Sequence, residues 1–266
     1  MIVDHDVHVH TVLSACCSDE RATPANIIAR AAEVGLKTIG FADHLWDSAV
    51  PGGSNWYRPQ DVAHVLRTRD ALANDARSVR VLVGCESDYC GGGKVGITPE
   101  SARQFDFVLL PMSHFHMRGF VVPEGLADPG QIAHLLVQRF NEVVELGLAT
   151  GIPHPFLPVG DAERVDEITS HLSDDDLKAC FGRAAQRHVS VEVSTAMFPS
   201  CEQGEEDGFH DESFLRILRI AKRSGCLFHF ASDSHSLAGI GRVLKLAPIA
   251  DDIGITPDDI HPLFRS

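Results

Sequence analysis

The sequence predicts a single α/β domain over residues 1–266, with a parallel sheet closed or nearly closed into a barrel. Three observations predict it. Seven short apolar runs alternate with helical patterns along the chain. No repeat, low-complexity segment or long linker divides it. With 266 residues, 44% of them hydrophobic, the chain can fill one large core, and one domain of this size is common in α/β barrels.

The elements follow in order. The opening stretch "DHDVHVHT" alternates Val7 and Val9 with His8 and His10, the pattern of a strand. Thr23-Pro24 reads as an N-cap with proline at the first helical position, opening a helix to about Val34, and Gly35 ends it. Strand-like runs follow at Lys37–Phe41, Val79–Val83, Phe105–Leu110, Leu148–Gly151, Val189–Val193 and Cys226–Ala231. Helical length and apolar spacing appear at Gln60–Ala76, Pro129–Leu146, Ser173–Arg187 and Asp211–Arg223. Asp128-Pro129 is a start signal, and Ser173 with Asp176 is a weaker relative of the capping box.

Composition excludes some functions. A formal charge of −14 argues against a phosphate-backbone binder, so no nucleic-acid partner is expected. It does not exclude a phosphorylated substrate, because bound divalent cations invert the local field. No run approaches a membrane span, and Met1–Val3 lead straight into acidic residues without a basic-then-apolar leader. The seven cysteines have no framework spacing; Cys85, Cys180 and Cys226 look like small core residues. The reading is a reduced, cytoplasmic protein of unspecified oligomeric state.

Potential ligands gather at one geometric position. His8 and His10, two apart, point to the same side of a strand, either toward a metal or into solvent at a sheet edge. The later strands lead into "GFADHLW" with Asp43 and His44, "VGCESDY" with Glu86, and "PMSHFHM" with His114 and His116. "TGIPHPF" follows with His154, then "VEVSTA" with Glu192 and "FASDSHS" with Asp233 and His235. Barrels carry their active sites at the C-terminal strand ends, so this placement favours a metal centre.

As an ordered set, "HVH", "ADHLW", "GCE", "SHFHM", "PHP" and "SDSH" resemble the polymerase and histidinol phosphatase (PHP) superfamily, from Asp6 to about Arg242. The resemblance implies a distorted (β/α)7 TIM-like barrel holding two or three divalent ions of zinc, manganese or iron. It implies His8, His10, His44, Glu86, His114, His154, Asp233 and His235 as ligands. The implied activity is hydrolysis of a small phosphate monoester by a metal-activated water, as in histidinol phosphatases. Phosphodiester or nucleotide hydrolysis on the same site, or a non-catalytic metal-binding module, are the alternatives. Completeness of the ligand motifs speaks against the last.

One position departs from the family pattern. Cys16 stands where His or Asp is often found, six residues after the second His of "HVH". It is either a thiolate ligand selecting zinc or iron, or a packed small residue, with Asp19 the next candidate. Glu86 can bridge two ions, and His235 and His116 are candidates to protonate the leaving oxygen. Asp6 either orients a ligand imidazole or caps a turn. Arg118, Arg242 and Lys94 are candidate phosphate contacts, or else surface charges; the Gly-rich loop bearing Lys94 lacks a Walker A pattern. His229 reads as a core histidine, and His134, His171 and His188 as exposed. The acidic stretch 200–210 reads as a loop over the site, with His210 either touching substrate or opening a helix.

Overall fold

The computed structural model describes residues 3–72, 79–201 and 209–265. Strands and helices alternate. The first half runs β1 (His5–Val9), α1 (Pro24–Glu33), β2 (Thr38–Phe41), β3 (His44–Leu45), α2 (Val62–Ala71), β4 (Arg80–Val83), β5 (Cys85–Ser87), α3 (Pro99–Ala102) and β6 (Val108–Leu109). The second runs α4 (Pro129–Leu146), β7 (Gly151–Ile152), α5 (Val165–Ser170), α6 (Asp174–Gln186), β8 (Ser190–Ser194), α7 (Asp211–Arg223), β9 (Phe228–Ala231) and α8 (Ala247–Ile253).

The expected caps form. Thr23 accepts from the Asn26 amide, Asp128 from Gln131 and Ser173 from Asp176, each satisfying an amide left unpaired by helix geometry. Both α4 and α7 have the bounds that the apolar spacing predicts. The helix expected over Gln60–Ala76 runs from Val62 to Ala71; residues 73–76 lie outside the described set, as do 202–208 of the expected acidic loop. Among the described residues, no helix is long and apolar enough to cross a membrane.

All strand pairs are parallel, in two sheets ordered β1-β2-β4 and β3-β5-β6-β7-β8-β9. The pairs β2/β3 and β4/β5 follow one another within two residues, so two strand paths break and change sheet. Gly84 makes one break possible: a Cβ there would lie 2.5 Å from the Phe107 ring. The strand expected at Leu148–Gly151 is shifted to Gly151–Ile152, because α4 ends on left-handed Gly147 and residues 148–150 carry the chain back to the sheet. Of Phe105–Leu110 only Val108 and Leu109 join a ladder; Phe105 and Phe107 are buried as core side chains instead.

β1 lies beside β9, and side chains do much of the joining. His5 Nε2 accepts from the Phe230 amide at 3.0 Å. Asp6 accepts from the Ser232 amide at 3.0 Å and the Ser232 hydroxyl at 2.6 Å. Beyond them Val9 pairs with Ser234, and the His10 amide donates to Ser234 O at 2.9 Å. Asp6 thus holds the segment before Asp233 rather than a histidine ring, which corrects the first of its two expected roles. Burial pushes its carboxyl up to about 7, against the pull of the Ser232 hydrogen bonds.

The opposite strand ends are closed by the C-terminal segment. Ile260 bridges to Phe228, and the His261 amide donates to Phe228 O at 2.9 Å. Phe264 is fully buried, edge-on to Phe107 at 5.5 Å and against His229 at 5.4 Å. Burying one such ring stabilises the fold by about 1.5–3 kcal/mol.

Candidate metal centre

The structure brings the expected ligand side chains to the C-terminal strand ends. His8 and His10 leave β1 where its register with β2 slips between Asp6 and Val9. Their Nε2 atoms stand 3.2 Å apart, although both rings are fully buried. His44 opens β3 directly opposite Glu86 of β5. His114, His154 and the Asp233–His235 turn follow β6, β7 and β9. Three of the four non-glycine residues with positive φ among those described are His154, Phe156 and Asp233, in the loops of this site. Left-handed backbone at such residues costs energy and persists where surroundings over-determine it.

Glu86 is the centre of the arrangement. Its Oε1 faces His114 Nε2 at 3.5 Å and His154 Nε2 at 3.4 Å. Its Oε2 faces His8 Nε2 at 3.5 Å, His10 Nε2 at 3.6 Å and His44 Nδ1 at 3.0 Å. Glu86 Oε1 and His44 Nδ1 are buried with no hydrogen-bond partner. Buried polar atoms are rarely left so. The donor atoms fall into three groups, each within 4.8 Å: Glu86, His114 and His154; His8, His10 and Asp233; and His10, Cys16, His44 and His235. Ligand atoms at about 2.1 Å from a tetrahedral ion lie about 3.4 Å from one another. The spacings around Glu86 match that figure, so the residues present fit divalent ions.

The far nitrogen of five of the six candidate histidines has its own partner. His8 Nδ1–H donates to Glu192 Oε2 at 2.8 Å, and His114 Nδ1–H to Asp88 Oδ1 at 2.8 Å. Ser14 donates its hydroxyl to Asp43 at 2.7 Å and so accepts from His10 Nδ1 at 3.1 Å. Ser113 accepts from His154 Nδ1 at 2.7 Å, and His235 Nδ1 donates to the Asp233 carbonyl at 2.8 Å. Each contact fixes the tautomer and aims Nε2 inward. Asp88 is held in turn by the Tyr57 hydroxyl, and Asp43 by Thr11. Among these supports only Glu192 and Asp43 stand out in the sequence as chemistry-bearing residues, and the orienting role expected of Asp6 belongs to Glu192.

The fields agree with a cation site. Burial pulls His10 down to about 4 and His44 down to about 3, so both are neutral donors. Burial alone would raise Glu86, but the positive charges of His8 and His114 hold it well below the usual carboxylate range. Glu192 is pulled down to about 2, burial opposing and His8 prevailing. His114 is raised to about 9, burial opposing, by Asp88 and Glu86. These buried carboxylates require positive charge, which protons on His8 and His114 supply when no ion does.

The remaining expected residues divide. Cys16 is exposed, yet its sulfur belongs to a donor group; burial of the thiol and the charges of Glu86 and Asp233 push its pKa up. Asp19 is taken by Arg21 at 2.8 Å and the Leu237 amide at 3.1 Å, and belongs to none of the three groups. A cavity of about 240 Å³ opens over Glu86, walled by Trp56, Tyr57, His116, Met117 and Val159 among others. Neither Lys94, Arg118 nor Arg242 is among the described residues lining it. Arg118 turns away to Asp161 at 3.0 Å. Lys94 donates to Gly52 O at 3.2 Å and rests 5.1 Å from the ring centres of Trp46 and Phe120. Arg242 is exposed in a 3₁₀ turn. His229 is the expected core histidine, paired with Ser190 at 2.9 Å, and His210 precedes α7, bonded to Asp166 at 2.6 Å.

Comparison with known proteins agrees with this geometry. The model of the PHP domain family matches residues 6–193. A protein of Aliivibrio fischeri (strain MJ11) named "Probable phosphatase" is 23% identical over 260 residues, 98% of this chain and 89% of that protein. The fold is similar to that of histidinol phosphate phosphatase from Lactococcus lactis subsp. lactis, solved with zinc, L-histidinol and phosphate. That likeness has a TM-score of 0.62 at 16% identity and covers 94% of each chain.

Proposed function

The chain belongs to the PHP domain family, and from that premise we propose that it is a metal-dependent phosphoesterase acting on a small phosphate monoester. The observation that carries the reading is Glu86, whose two oxygens face separate sets of imidazoles. A bridging carboxylate over two ions has this form. His114 and His154 would hold one ion, and His8, His10 and Asp233 a second. Because Ser14 occupies His10 Nδ1, His10 has one nitrogen for two donor groups, and Cys16, His44 and His235 would hold a third ion largely without it. Bound there, zinc, manganese or iron would lower the pKa of water and neutralise charge on the phosphate oxygens.

The chain's own groups do the rest. Glu192, Asp88, Ser14 and Ser113 hold the imidazoles in place before substrate arrives. Both nitrogens of His235 are engaged by this scheme, which leaves His116, at the wall of the cavity, to protonate the leaving oxygen. The two sheets are best read as one distorted seven-stranded barrel, since β1 and β9 meet at the Val9–Ser234 bridge.

The test is elemental analysis of metal-loaded protein, followed by a panel of L-histidinol phosphate, sugar phosphates, simple alkyl phosphates and nucleotides. Two or three ions per chain and release of inorganic phosphate are expected; one ion or none, or no release from any ester, sinks the reading. His116→Gln should slow esters of poor leaving groups more than p-nitrophenyl phosphate, as loss of a proton donor requires.

A further inference from the structure

A second cavity of about 360 Å³ adjoins the first, within the size range of small-molecule sites. Its described lining is Ser54, Trp56, His116, Met117 and Phe120. Trp56, His116 and Met117 line both cavities, so they form the passage from the Glu86 site outward.

The chemistry of this outer space is one-sided. None of its described lining residues is Arg, Lys, Asp or Glu. Two nearby cations are committed elsewhere, Arg118 to Asp161 and Lys94 to Gly52 O behind Trp46 and Phe120. Ser54 Oγ already accepts from the Tyr57 amide at 3.2 Å. A sugar ring or a second phosphate would therefore lose water there and find few partners, which is costly.

The aromatic wall, by contrast, is prearranged. Trp56 is 39% exposed, one of two large hydrophobic side chains left so among the described residues. It is nonetheless fixed, edge-on to Tyr57 at 4.7 Å and to His44 at 5.1 Å. Phe120 stacks on Tyr57 at 5.9 Å and packs against Trp46 at 5.2 Å. An indole held in place yet left partly open beside a candidate centre offers an apolar aromatic surface to a ligand.

We infer that the outer cavity is a leaving-group subsite for an uncharged, planar aromatic body, so that the preferred substrates are phosphomonoesters of aromatic alcohols. The inference rests on the phosphoesterase reading. With the phosphate over Glu86, the alcohol carbon skeleton passes His116 and Met117, and its ring lies against Trp56 and Phe120.

The experiment compares kcat/KM for 2-phenylethyl phosphate, ethyl phosphate and glucose 6-phosphate with the metal-loaded enzyme. The phenylethyl ester should exceed both others by about tenfold or more, chiefly through KM. Trp56→Ala should bring the phenylethyl-to-ethyl ratio close to one, and Trp56→Phe should restore most of it. Equal values for the two alkyl esters, a preference for the sugar phosphate, or a ratio unmoved in Trp56→Ala would overturn the inference. Circular dichroism checks that each variant is folded. In parallel, saturation-transfer NMR should detect the ring of 2-phenylethanol bound to the native protein and not to Trp56→Ala. That signal without hydrolysis of any ester would retain the subsite and remove the phosphatase reading. No transfer to the native protein would remove the subsite.

Discussion

The two ends of the strands solve opposite problems with the same backbone. At one end, six histidines and Asp233 gather about Glu86, with three residues held at positive φ and buried atoms left unpaired. At the other end, the apolar side chains of Phe264, Phe107 and Ile260 fill the space between the strands. Apolar packing dominates where the C-terminal segment plugs the fold. Charge and strain are concentrated where the donor groups meet. The contrast is the familiar trade between a preorganised site and a well-packed core, drawn here within one set of strands.

Substitutions at the two ends should therefore separate activity from stability. The largest effect belongs to Glu86→Gln, expected to lower turnover by at least about 10⁴-fold with loss of bound metal while the fold persists. Steady-state kinetics with metal analysis checks it, and near-normal turnover with full metal content would rule out the bridging role. Phe264→Ala should do the reverse. It should destabilise the protein by about 3–5 kcal/mol in urea unfolding, with metal content per folded chain unchanged. Asp88→Asn and Glu192→Gln keep the ligands but lose the anchors of His114 and His8, and should each weaken metal affinity by about 10–100-fold in competition titrations.

Cys16→Ser should empty one metal position and leave the His8–His10 pair occupied, as anomalous scattering would reveal; unchanged occupancy throughout would make Cys16 a rim residue. The smallest effect lies at the plugged end. Burial, reinforced by the charges of His229, His188 and Arg265, holds His261 down to about 4. The unfolded chain thus takes up that proton more readily. The contribution of neutral His261 is complete above about 6.5 and fades as pH falls from there toward about 4. His261→Gln should flatten that part of the stability profile, and an unchanged slope would assign it to other groups.

Much of the site end is legible in the sequence, for a physical reason. A strand that delivers side chains to one side writes them two apart, so His8 and His10 announce themselves, and the other ligands follow strands whose apolar runs are plain. The same spacing links Glu86 with Asp88, which is the signal by which Asp88 could have been found. Ser14 and Ser113 carry no such signal, because a hydroxyl that accepts one hydrogen bond resembles any loop serine. The orienting role expected of Asp6 falls to Glu192 because the sequence does not reveal which neighbouring strand each one faces. Arg118 follows His116 closely in the chain, but the turn through Gly119, at φ +74, accompanies its departure toward Asp161. The plugged end was not readable at all, since the segment after Arg242 has short, irregular elements, and packing rather than period places Phe264.

The seam between β1 and β9 sets a schedule for the molecule. His10 and Asp233 are 223 residues apart, yet belong to one donor group. On a ribosome, the first two imidazoles are therefore made long before the carboxylate and the imidazole that complete their groups. Until β9 docks through His5 and Asp6, a nascent chain offers an incoming ion only a partial set of donors. The full centre cannot assemble before β9 and its Asp233–His235 turn are made, and a chain truncated ahead of β9 is left with only part of it.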